Sequence, residues 1–87
     1  MNNITDLKKK IIYRSNYRGT KEMEKLLGSF TAKHVNLLEE EDLKLLCDLL
    51  DFDDENLYKY NQGQVTTIKI HSNNVTKLFK NYIYVCD

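Results

Sequence analysis

A chain of 87 residues, 41% hydrophobic and 30% charged, has room for one domain around one small core and is too apolar to be disordered. Its formal net charge of zero gives no global attraction to nucleic acid or to an anionic membrane. No apolar run approaches the roughly 20 residues of a membrane-spanning helix.

Proline is absent and helix formers dominate the first two thirds. This predicts an all-α fold: a small single-domain helical bundle of about five helices over residues 1–87. Ile4, Leu7, Ile11 and Ile12 recur at helical spacing, with Lys8 to Lys10 between them, and describe an amphipathic first helix that Asn3 or Thr5 would cap. The pattern fades from Tyr13 to Tyr17 and breaks at Gly19. Met23, Leu26, Leu27 and Phe30 then define a second helix ending near Thr31 to His34. Gly28 inside it either admits another helix closely or ends the helix early. A third helix starts at Asn36 to Glu39, with Asn36 or Glu39 near its cap. Its wide stripe of Leu43, Leu45, Leu46, Cys47, Leu49 and Leu50 makes it the predicted centre of the bundle.

Asp53 reads as the N-cap of a fourth helix over Asp54 to Asn61, with Phe52 and Leu57 spaced as a hydrophobic staple and Gly63 closing the far end. Val65 to Ile70 alternates and is β-branched, but no partner strand is evident, so it reads as an extended connection. Ser72-Asn73-Asn74 caps a last helix carrying Val75, Leu78, Phe79, Tyr82 and Ile83.

Charge is unevenly spread. Lys8, Lys9, Lys10, Arg14, Arg18, Lys21 and Lys25 make the N-terminal part basic, whereas Glu39 to Asp42 and Asp51 to Glu55 make the middle acidic. Cys47 and Cys86 lie far apart and form no CxxC pair, as suits a reducing compartment. No secretory or transit pattern opens the chain, and a cytoplasmic location is expected. Catalysis needs activated groups in mutual reach. His34 and His71 sit in no recognisable site, Cys47 falls within the leucine stripe, and Cys86 belongs to the tail. Metal-ligand spacing, a phosphate-cradling glycine loop and a calcium loop are all absent from the sequence. A binding module is therefore expected, not an enzyme.

One stretch is left over. Arg18-Gly19-Thr20-Lys21-Glu22 reads as a helix start, a permissive glycine followed three residues later by a carboxylate, which leaves Arg18 with no evident structural duty. The order of motifs around it resembles the small FAD assembly factors of succinate dehydrogenase (the SdhE, or succinate dehydrogenase assembly factor 2, family). The resemblance covers roughly residues 11–63: Arg18-Gly19-x-x-Glu22, an acid at Glu24, an aromatic at Phe30, a leucine-rich helix ending Leu49-Leu50-Asp51, then Asp53-Asp54 and the aromatic pair Tyr58 and Tyr60. The chain departs from the family pattern at Tyr60, commonly tryptophan, at Asn56, usually a second acid, and at Gly28-Ser29, usually a bulkier pair. The segment after Gly63 matches poorly.

The resemblance implies a small helical chaperone that binds the flavoprotein subunit of succinate dehydrogenase, and in bacteria also that of fumarate reductase, and promotes covalent attachment of FAD to a histidine of that subunit. It implies that FAD belongs to the partner, with no cofactor or metal held stably here. The expected contact surface centres on Arg18, Gly19 and Glu22, with Glu24, Tyr17, Tyr58 and Tyr60 as lesser contributors. In this view Arg18 offers its planar fork to the partner and Gly19 permits close approach. Glu22 caps the helix, orients Arg18 or meets a cation across the interface. Arg18→Ala and Glu22→Ala should then weaken binding and leave thermal stability nearly unchanged. The free protein is expected to be a monomer, without nucleic-acid binding or membrane insertion. The rival reading is a generic helical adaptor or regulator with no role in flavinylation.

Overall fold

Five helices follow one another in the computed structural model, which describes residues 3–84: α1 (Asn3–Asn16), α2 (Lys21–His34), α3 (Glu40–Leu49), α4 (Asp54–Asn61) and α5 (Asn74–Lys80). No strand occurs among the described residues, so the all-α bundle is the fold. Residues 64–73 form the irregular connection that the alternating segment predicted.

Apolar spacing explains which faces are buried. Ile11 of α1, Leu27 and Phe30 of α2, Leu43 and Leu46 of α3, Leu57 of α4, and Val75 and Phe79 of α5 are all fully buried and meet in one core. Helix α3 packs against both α1 and α5, as its wide stripe predicted. Phe30 and Phe79 meet edge to face at 5.2 Å, a geometry favoured by the ring quadrupoles. Between α1 and α2 the core contains a polar pair. The Ser15 hydroxyl donates to the Ile11 carbonyl at 2.7 Å and lies 2.6 Å from Thr31 Oγ1, so neither buried hydroxyl is left unsatisfied.

Helix ends differ from expectation in places. Helix α1 already contains Asn3 and Thr5, so neither is its cap. Thr20, not Gly19 or Glu22, caps α2: its hydroxyl accepts from the Met23 amide at 3.1 Å. Helix α2 runs through Gly28 to His34, so Gly28 does not end it, and the Asn16 side chain lies close against it. A Cβ there would come within 2.7 Å of Asn16 Oδ1, at the end of α1. Helix α3 starts at Glu40, with Glu39 as N-cap; residues 35–38 form a turn in which Leu37 and Leu38 donate to the His34 carbonyl.

Helix α4 has its predicted bounds. Asp53 accepts from the Asn56 amide at 3.1 Å. At the other end Gly63 takes φ 74°, with Gln64 donating to Lys59 O and Gly63 to Tyr60 O, a Schellman motif. Asn73 caps α5 through a capping box with Thr76. That helix stops at Lys80, where Asn61 Nδ2 donates to the carbonyls of Phe79 and Tyr82. Tyr82 and Ile83 therefore lie beyond it, and Ile83 is 80% exposed. Cys86 lies outside the described residues.

Candidate functional site

The α1–α2 junction sits against the α3–α4 turn, and Arg18 joins the two. Its Nε donates to Asp54 Oδ1 at 2.8 Å, Nη1 to the Leu50 carbonyl at 3.1 Å and Nη2 to the Phe52 carbonyl at 3.0 Å. All three guanidinium nitrogens thus donate within the chain, and the Arg18 side chain is only 10% exposed. The placement follows from helix-end chemistry. Carbonyls just past the C-terminus of α3 lack helical partners and attract a cation. A carboxylate on the first residue of α4 faces the positive end of that helix. Arginine answers both demands because its donors point in several fixed directions at once.

Asp54 uses its second oxygen on the backbone: Gly19 N donates to Oδ2 at 2.7 Å. A Cβ at Gly19 would stand 3.0 Å from the same oxygen. Gly19 has no positive φ, so the approach of Asp54, and not backbone conformation, calls for glycine there. Arg18 accordingly has a structural duty that the sequence did not reveal, and its fork is engaged inside the molecule.

Glu22 and Tyr58 are different. Both are exposed, and both line an open groove of about 900 Å³ bounded by α2, α4 and the segment after α5. No hydrogen bond or ion pair occupies the Glu22 carboxylate among the described residues, so it neither caps α2 nor orients Arg18. Lys25 and Tyr82 share the groove, and Tyr82 is anchored by its hydroxyl, which donates to Ser29 Oγ at 2.8 Å. The other predicted residues are dispersed. Tyr17 is 68% exposed at the end of α1, with its ring 4.4 Å from that of Tyr13. Glu24 is half-buried on α2. Tyr60 packs against the core with Lys80 Nζ 5.7 Å from its ring centre.

Asp54 is the residue that sequence reasoning missed. The doublet Asp53-Asp54 contained the signal, since one N-cap needs one carboxylate and leaves the other free. Asp53 itself is held below the usual carboxylate range, first by the Asn56 side chain and then by the Asn56 amide. A second ion pair, Arg14 with Asp51, links α1 to the end of α3 and raises the Arg14 pKa further. Asn56, at the position where the family resemblance has an acid, uses its amide both ways: Nδ2 donates to Asp53 Oδ1, and Oδ1 accepts from Thr67 N at 2.8 Å.

Among the described residues no group of three or more His, Cys, Asp or Glu side chains could hold a metal ion. Likewise, no helix there is long and apolar enough to cross a membrane. The site is a hydrogen-bonded seam, Arg18-Gly19-Asp54, three residues from Glu22 on the groove wall. Such an arrangement can present a surface to another protein.

A protein-family model described as Sdh5, flavinator of succinate dehydrogenase, matches residues 9–83. The chain belongs to the Sdh5 family. The Sdh5 match contains the Arg18-Gly19-x-x-Glu22 segment and the Asp53-Asp54 doublet. It continues through α5 to Ile83, beyond the segment 11–63 that carries the resemblance. Membership in the Sdh5 family assigns the chain a role in the flavinylation of succinate dehydrogenase. Comparisons with curated proteins and with solved structures gave no match.

Proposed function

We propose that this chain binds the flavoprotein subunit of succinate dehydrogenase transiently and promotes covalent attachment of FAD to a histidine of that subunit. The observation that carries this reading is the family match over 9–83. The exposed Glu22 and Tyr58, on a groove beside the fixed Arg18-Gly19 seam, support it as a docking surface.

The mechanism asks little chemistry of the chain itself. The reacting histidine and FAD both belong to the partner, and the bond forms within the flavoprotein. Binding free energy from the helper favours the conformation in which histidine and flavin are aligned, which is preorganisation exerted through a protein ligand. Glu22, an unpaired carboxylate, meets a cationic or hydrogen-bond-donating group of the partner, and Tyr58 supplies apolar area with a polar tip. Arg18 acts from inside by fixing the backbone at the α1–α2 junction. The protein works as a cytoplasmic chaperone, monomeric when free, and is not a catalyst. The flavoprotein of fumarate reductase is a second candidate partner.

Co-expression with the flavoprotein subunit of succinate dehydrogenase tests the reading through flavin fluorescence retained by the denatured subunit. Retained fluorescence should rise well above that of the subunit expressed alone. An unchanged level, with the subunit folded, refutes the role and leaves the adaptor reading.

A further inference from the structure

Resting on that reading, we propose that Asp54 is a positioning residue for flavoprotein binding: its carboxylate sets the backbone at Arg18-Gly19 and so aligns the Glu22 end of α2 with Tyr58 of α4. Three observations converge on it. Asp54 is the single group that bonds both Arg18 and the Gly19 amide, through separate oxygens at 2.8 and 2.7 Å. It belongs to α4, which also carries Tyr58, whereas Gly19 immediately precedes the cap of α2, which carries Glu22. The groove these two residues line spans both helices. A shift of Asp54 therefore moves one wall of the groove relative to the other. Arg18 contributes by locking the carboxylate. With its nitrogens donating to Asp54 and to the Leu50 and Phe52 carbonyls, it ties the same carboxylate to the end of α3.

A carboxylate is required because two donors converge on it from different directions. Asparagine has one acceptor oxygen, so Asp54→Asn leaves either the Arg18 Nε–H or the Gly19 N–H without its partner. The neighbouring Asp53 provides the control. It caps α4 and bonds Asn56, but it makes no hydrogen bond to Arg18 or Gly19.

The test measures the dissociation constant for the purified flavoprotein subunit by titration, at a temperature where circular dichroism shows each full-length variant folded. The set is the unsubstituted chain, Asp54→Asn, Asp54→Ala, Arg18→Ala, the double variant Arg18→Ala/Asp54→Ala, and Asp53→Ala. Amide exchange at Gly19 is followed by NMR in parallel. Asp54→Asn and Asp54→Ala should weaken binding by about tenfold or more and speed Gly19 exchange. The double variant should bind no more weakly than the weaker single one, since both remove the same clamp. Asp53→Ala should lower the melting temperature yet bind normally. Were the unsubstituted chain not to bind the subunit, the functional reading would fail and this proposal with it. Normal binding by a folded Asp54→Asn, or losses that multiply in the double variant, would overturn the positioning role alone.

Discussion

Arg18 and Asp54, 36 residues apart in the chain, form an ion pair in which Asp54 also accepts the Gly19 amide. This one contact turns a helix junction into part of the tertiary structure, because it pins the α1–α2 loop to the N-terminus of α4. It also gives Arg18 three acceptors within the chain, where the sequence left that residue with no evident structural duty.

Arg18→Ala should destabilise the protein by about 2 kcal/mol, since it removes charge-assisted hydrogen bonds and leaves the Leu50 and Phe52 carbonyls and the Asp54 carboxylate short of donors. For a domain of this size that is a fall in Tm of roughly 10 °C. Arg18→Lys should recover little of it, because an ammonium cannot reach the same divergent acceptors. Urea unfolding checks this: the midpoint should drop while the slope stays constant.

Glu22→Ala should leave Tm nearly unchanged, because the carboxylate is exposed and makes no bond among the described residues. Binding of the flavoprotein subunit should weaken, and more so when Tyr58→Ala is added. Calorimetric titration of the subunit with each folded variant provides the measurement. An unaltered affinity in the double variant would remove the groove wall from the docking surface.

Gly28 offers a test of packing against propensity. Alanine in a helix interior is favoured over glycine by about 1 kcal/mol, but a Cβ at Gly28 would come 2.7 Å from Asn16 Oδ1. The Asn16 side chain is exposed and held by one bond to the Ile12 carbonyl, so it can swing aside at a cost. Gly28→Ala alone should therefore change stability little. In an Asn16→Ala background the same substitution should stabilise by about 1 kcal/mol, read from the difference between the two unfolding curves.

His34 should make stability fall in mild acid. Burial, and secondarily the charge of Lys33, lower its pKa in the fold; its ring lies tilted 4.7 Å from that of Phe30 and edge-on to Tyr82. A histidine with a depressed folded pKa binds fewer protons folded than unfolded, so its neutral form favours the fold. The contribution is intact well above the unfolded value of 6.5 and is lost as pH falls through that value toward the lower folded one. Melting curves between pH 8 and pH 5 should show Tm declining. His34→Gln should flatten that part of the decline.

Five helices and the apolar faces that meet in the core were legible in the sequence. The fourth helix, with its Asp53 cap and Gly63 terminator, was legible too, because caps, staples and helical periodicity are local and lie within a few residues of one another. Family membership was legible for the same reason, in a series of short motifs at fixed separations. Where Arg18, Gly19 and Glu22 lie depends on tertiary contacts. Arg18 and Gly19 meet Asp54 across 36 and 35 residues, a distance at which no periodicity operates, and only the packed seam shows them bonded to it. Glu22, three residues beyond Gly19, is left outside with Tyr58 because α2 turns that position away from the seam and onto the groove.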